Sequence, residues 1–274
     1  MDVNHTQLQV ILKEILDYIV DICDKNDLTY FLIYGTALGA YRHKGFIPWD
    51  DDIDIGMPRP DYDKFLKIIS EKEHPLYEIQ NYSNDDLYFY IFSKMRRKGT
   101  LYVEDVLDTR FHNNGFFVDI FPLDFAENIN TLNFKIKKNI INYYKHVLKF
   151  YNCKTFYKKK GLFRYWIDLI YCSFAGKYSR DRFISRIDLL RITPFSETIP
   201  QKGYLVEYDE SGKKQFCKCS AYYPPIQIEF SGTYYNAPGK IEEYLTQIYG
   251  DDYMTLPPEE ERKNHRPVEC KILQ

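Results

Sequence analysis

One short stretch carries the residues best suited to chemistry. Between Tyr34 and Tyr62 the chain reads YGTALGAYRHKGFIPWDDDIDIGMPRPDY, with Asp50, Asp51, Asp52 and Asp54 crowded together. Asp52-Ile53-Asp54-Ile55 alternates strictly and predicts a strand. On a strand Asp52 and Asp54 point to one side, roughly 6.6 Å apart by two residue rises, and the two isoleucines point into a core. Like charges held together are costly, so a cation belongs on that face. Hard oxygen ligands favour Mg²⁺ or Mn²⁺. Gly115–Phe121 echoes the pattern with one acid, Asp119, among large apolar residues. If the two strands are neighbours, Asp119 lies about 5 Å across from the pair. Three carboxylates then surround a metal whose open positions take phosphate oxygens. A calcium loop starting at Asp50 is excluded: Ile55 replaces its glycine, Asp61 its final glutamate, and Pro58 and Pro60 interrupt it. For Asp50 and Asp51 a solvated acidic loop fits as well as any role.

Gly35-Thr36 sits where a short apolar run, Tyr30–Ile33, turns toward a helix, with Thr36 near its N-cap. Backbone N–H groups at such a turn suit a phosphate. Arg42, His43 and Lys44 follow, with Arg42 the best phosphate ligand by its fork geometry and His43 a weaker candidate. Walker A, G-x-G-x-x-G, G-x-S-x-G and H-E-x-x-H motifs are missing.

Elements must hold these residues in place. Apolar steps of three and four predict helices over 5–26, 61–70, 130–152, 162–174, 179–190 and 238–249, and a short one from Ala37 to Tyr41. Strands are expected at 77–81, 88–95, 101–104, 116–121 and 226–230, with a hairpin around Asp209–Gly212 and loops at Pro58 and Pro60. This order predicts an α+β fold, a mixed sheet with helices on one face.

Composition supports a packed core, with 45% hydrophobic and 17% aromatic residues, while a net charge of −2 argues against a nucleic-acid binder. Charge is segregated, however. Between Asn128 and Ile167 stand ten Lys or Arg and no Asp or Glu, interleaved with aromatics. Such a segment suits peripheral contact with an anionic membrane, against the alternative of a solvated helical face. Six scattered cysteines give neither a disulfide framework nor a zinc set, Cys217 and Cys219 forming a lone C-x-C. No leader pattern opens the sequence and no uncharged stretch reaches membrane-spanning length, so a cytoplasmic location is expected.

With those residues in hand, the chain resembles the LicD family, known for phosphocholine transfer to bacterial surface glycans and more distantly related to the fukutin group, which transfers ribitol phosphate. The resemblance rests on Gly35–Ala40, Arg42-His43, Gly45–Asp54, Pro58-Arg59, Phe117–Asp124, Tyr249–Met254, Leu256–Pro258 and Arg262–His265. It implies a nucleotidyltransferase-like fold in which a Gly-Ser/Thr turn, a D-x-D strand and a third acid map onto Gly35-Thr36, Asp52/Asp54 and Asp119. It makes Asp50 an auxiliary metal or substrate residue and places Arg262 and His265 over the nucleotide. A catalytic core over 1–127, a basic helical insertion over 128–200 and a C-terminal segment over 201–274 are expected to form one integrated domain.

The implied reaction is metal-dependent transfer of a phospho-substituent, phosphocholine foremost with glycerol or ribitol phosphate in its place as an alternative, from a CDP-linked donor to a glycan or lipid-linked glycan acceptor. Two alternatives remain: a nucleotidyltransferase that expels pyrophosphate, and a non-enzymatic glycan- or lipid-binding module. The intact acids argue against the second.

Overall fold

The computed structural model describes residues 1–104, 113–153, 157–158, 161–177, 179–191, 202–208, 216–262 and 267–273. The first helix, α1 (His5–Lys25), begins at a reciprocal cap: the Asn4 side chain accepts from the Gln7 N–H, and the Gln7 side chain accepts from the Asn4 N–H. Its buried stripe, including Leu12, Ile15, Leu16 and Ile19, packs on β4 (Ser93–Arg97) and β6 (Phe117–Ala126).

The main sheet runs β1 (Phe31–Leu32), β2 (Asp54–Pro58), β6, β4, β3 (Tyr77–Gln80). β2 and β6 are parallel and the other pairs antiparallel, so the sheet is mixed and the fold is α+β. A parallel pair needs a crossover. Here it includes α3 (Arg59–Ser70), which packs on β2, β3 and β6. Along the last three residues of β6 the sheet continues through β7 (Tyr204–Val206) and β8 (Phe216–Lys218), paired antiparallel on either side of the expected hairpin, whose turn lies outside the described residues. Two small sheets complete the strands: β5 (Thr100–Glu104) with β11 (Pro267–Ile272), and β9 (Ile226–Phe230) with β10 (Thr233–Ala237).

Several boundaries differ from the sequence reading, each for a local reason. The helix α2 starts at Tyr34 and runs to His43, so Gly35 and Thr36 lie inside its first turn and Ile33 is the cap. Strand β2 begins at Asp54, leaving Asp52 just before it. Helix α3 starts at Arg59 because Pro60 is accepted in a first turn, where its missing N–H costs no hydrogen bond. The aromatic run Tyr88–Phe92 is not strand. Its side chains are shared between two cores, Phe92 entering the sheet core while Tyr88, Phe89 and Ile91 enter a second.

That second core lies among α4 (Leu132–Asn152), α5 (Leu162–Ser173) and α6 (Arg180–Arg191), around Ile141, Val147, Phe150, Phe183 and Ile187. The two cores meet at Asp124 near the end of β6. Its buried carboxylate takes two hydrogen bonds from Arg59 (2.7 and 3.0 Å) and one from Arg191 (3.0 Å), and Arg191 also donates to the Ile91 carbonyl. These two guanidinium groups outweigh burial and hold the Asp124 carboxyl below its ordinary range. Two further helices follow β8, α7 (Cys219–Tyr222) and α8 (Ile241–Tyr249), the latter packing on α2.

Candidate active site

Three neighbouring strands line up one charged residue each. Asp54 on β2 is the register partner of Asp119 on β6, and Asp119 is in turn the partner of Lys94 on β4. Register partners share a face, so the three side chains form a row across the sheet. Neighbouring strands lie about 4.8 Å apart, which meets the spacing expected for Asp119 beside the D-x-D. Ile53 and Ile55 are fully buried on the opposite side, as alternation requires.

Lys94 was not singled out by its sequence context. Its ammonium donates to Asp119 Oδ1 at 2.6 Å and stands 3.4 Å from the centre of the Phe117 ring, with both members of the ion pair largely buried. The available signal was Ser93-Lys94-Met95-Arg96: on a strand Lys94 and Arg96 share a face, and Arg96 also lies over Phe117.

The acids before β2 form a second group. Asp50, Asp51 and Asp52 offer carboxylate oxygens within 4.8 Å of one another. Asp51 is buried and accepts from the Tyr102 hydroxyl at 2.7 Å. Helix α1 positions this segment from below, Gln9 donating to the Asp50 carbonyl at 2.9 Å. Gly35 leaves room for a close neighbour: a Cβ there would meet Asp50 Oδ2 at 2.8 Å. The Asp50 carboxylate thus lies against the first turn of α2, where the helix dipole favours negative charge. Thr36 fastens the same turn to the sheet, its hydroxyl oxygen accepting from the Asp54 N–H at 2.8 Å.

The two groups share one electrostatic field. Burial pushes the Asp54 carboxyl well above the ordinary carboxylate range, and Asp52, Asp119 and Asp50 push it further, with Lys94 opposing. Excess negative charge on hard oxygen donors is the chemistry of a divalent-cation site. The expected ligand trio of Asp52, Asp54 and Asp119 therefore stands next to a tighter trio of Asp50, Asp51 and Asp52.

The basic residues are distributed differently from expectation. Arg42 lies in the last turn of α2, seven residues or about 10 Å of helix from Gly35. Its guanidinium donates to the Tyr253 and Thr255 carbonyls (3.0 and 3.5 Å) and to His43 Nε2 (2.9 Å). Burial and the neighbouring Arg42 lower the His43 pKa, which suits its role as acceptor. Arg262 does come to the acidic segment, its guanidinium 5.2 Å from the Trp49 ring centre beside Asp50, while its Nε donates to the Pro257 carbonyl. His265 lies outside the described residues.

Known proteins are similar to this chain in sequence. The family model described as LicD/FKTN/FKRP, nucleotidyltransferase domain, matches residues 27–163, which hold every acid of the site and Lys94. The Haemophilus influenzae protein named lipopolysaccharide cholinephosphotransferase LicD is 31% identical over 268 residues, 97% of each chain. Human ribitol 5-phosphate transferase FKRP is 41% identical over 46 residues, 17% of this chain and 9% of that one. Half the chain matches the family model, and one member aligns along nearly its whole length: the chain belongs to the LicD/FKTN/FKRP nucleotidyltransferase-domain family.

Proposed function

We propose that this phosphotransferase moves a phospho-substituent, phosphocholine foremost, from a CDP-linked donor to a hydroxyl of a surface glycan or its lipid-linked precursor. The observation that carries the reading is the row of Asp54 and Asp119 across β2 and β6, with Asp50, Asp51 and Asp52 clustered just before it and Lys94 bonded to Asp119. A protein retains such a costly arrangement where a cation and a phosphate are to be handled. The full-length likeness to a protein named a cholinephosphotransferase supports phosphocholine; the short likeness to a ribitol 5-phosphate transferase keeps polyol phosphates as the second choice.

Asp52 and Asp54, with Asp50 or Asp119 beside them, fit Mg²⁺ or Mn²⁺, which supplies charge neutralisation for the transferring phosphoryl group. Lys94 donates to Asp119 Oδ1 and holds that carboxylate in place beside the site. The acceptor oxygen attacks the phosphorus bearing the transferred group, the bond from that phosphorus to the CMP oxygen breaks, and the hydroxyl proton passes to a site carboxylate. The first-turn amides of α2 and the Arg262 guanidinium flank the donor's phosphates and nucleotide.

Phosphorus NMR of the purified protein with CDP-choline, CDP-ribitol, CDP-glycerol or CTP tests the reading. CMP formed only with metal and acceptor present is the expected result. Asp52→Asn and Asp54→Asn should each lower turnover by at least about 10²-fold while remaining folded. Full activity in either variant would refute the metal site, and pyrophosphate released from CTP would identify a nucleotidyltransferase instead.

A further inference from the structure

Helix α5 has its polarity reversed for a helix on a water-facing surface. Its inward side carries Tyr165, Asp168, Leu169 and Cys172, with Asp168 buried and paired to His146 Nε2 and Arg164 Nε at 3.4 Å each. Its outward side carries Phe163, Trp166, Ile167, Ile170 and, just past its end, Phe174. The phenylalanines are 82% and 81% exposed and Trp166 is 59% exposed. Steps of three and four place these residues on one stripe. A surface helix of a water-soluble protein normally turns its apolar stripe to the core.

Helix α4 extends the feature. Tyr143 donates to the Tyr171 carbonyl and Phe150 packs on Tyr165, so α4 and α5 run antiparallel, and Ile140 falls near the level of Phe174. Leu132, Ile136 and Ile140 are exposed at four-residue steps along α4. The surroundings are cationic. From Asn128 to Arg180 the only acid in the sequence is the buried Asp168, whereas Lys135, Lys149, Lys158 and Arg164 are exposed.

Charge identifies the occupant of this face. A second copy of the chain would bring two cationic surfaces together, whereas an anionic bilayer offers phosphates to the cations and acyl chains to the stripe. At 12 residues α5 is about 18 Å long, short of the ~30 Å a span requires. We propose that α5 lies in the headgroup plane of an anionic membrane, with Phe163, Trp166, Ile170 and Phe174 in the acyl boundary and the surrounding Lys and Arg on lipid phosphates.

Vesicle binding of the full chain tests this without donor or acceptor, so its outcome is separate from that of the transferase reading. With vesicles of phosphatidylglycerol and phosphatidylcholine in equal parts, tryptophan emission should shift to the blue and be quenched by brominated lipid. Trp166→Phe should remove both changes, and Ile170→Glu with Phe174→Glu should weaken binding by more than about tenfold. Helix content by circular dichroism should be unchanged in the double variant; should it misfold, Trp166→Phe and a salt series carry the test. Absence of binding, equal binding to pure phosphatidylcholine, or a dimer that the double variant dissolves would each overturn the proposal.

Discussion

Replacing Lys94 by Met separates the charge of this residue from its bulk. The Lys94 and Asp119 side chains are 4% and 11% exposed, and their polar atoms lie 2.6 Å apart. Methionine fills nearly the same volume against Phe117, so the cost is electrostatic and not that of a cavity. Breaking a buried pair by removing one partner typically costs about 3–5 kcal/mol. For a chain of this size, at about 2–4 °C per kcal/mol, melting should fall by roughly 6–20 °C in EDTA. Divalent metal should then restore much of the loss, because a cation on the carboxylates replaces the missing ammonium. A ligand at 100 times its dissociation constant adds about 2.7 kcal/mol of stability. Mg²⁺ or Mn²⁺ should therefore raise the variant's melting temperature more than the parent's in scanning fluorimetry. Adding Asp119→Asn to Lys94→Met should recover stability, closing a double-mutant cycle. A variant that melts like the parent in EDTA would refute the dependence of Asp119 on Lys94. Equal metal-induced shifts in both proteins would remove Asp119 from the metal's field.

Three further outcomes can be checked together. Gly35→Ala forces the Asp50 carboxylate aside, since the new Cβ would sit 2.8 Å from its oxygen; metal affinity by titration calorimetry should fall at least about tenfold with melting little changed. Asp124→Asn leaves the guanidinium groups of Arg59 and Arg191 with only the longer carboxylate contacts to Asp63 (3.5 Å) and Asp188 (3.9 Å), and should cost about 3 kcal/mol in urea unfolding. Because the folded-state pKa of Asp124 is depressed, its stabilisation is complete above the unfolded carboxylate value of about 3.9 and is lost as pH falls through the folded value. The Asn variant should accordingly show a weaker acid-side loss of stability. Arg42→Gln frees the Tyr253 and Thr255 carbonyls, so limited proteolysis should become faster near 253–262 while the KM for donor changes little; a large rise in that KM with unchanged proteolysis would make Arg42 a phosphate ligand after all.

What the sequence reveals here follows the range of the interaction. Asp54 and its isoleucine neighbours are legible because alternation is local, and Asp119 because an acid among bulky apolar residues is costly without a purpose. Lys94 is not, since its role depends on β4 lying beside β6 across 25 residues of chain. Arg42 follows Gly35 closely in sequence, yet a helix carries it to the far end, where it donates to the Tyr253 and Thr255 carbonyls. Gly35 has a second reason to lack a side chain, because a Cβ there would meet Asp50, a contact invisible without coordinates. The run Tyr88–Phe92 has strand composition and still fails as a strand, because two cores compete for its rings. The helices of 130–191, set by short-range periodicity, lie within two residues of their expected bounds at each end.

The arginine clamp on Asp124 has a geometric consequence. Arg191 closes α6 and grips β6 five residues, about 17 Å of strand, beyond Asp119. The helical region and the acid row are therefore parts of one stiff frame. Were α5 seated in lipid as proposed, that frame would make the height of the acids above the bilayer a property of the fold and not of a hinge. An acceptor carried on a lipid would then have to reach a fixed altitude to present its hydroxyl. The spacer between lipid anchor and sugar would become a measured length, and acceptors would be sorted by reach before their sugars are recognised.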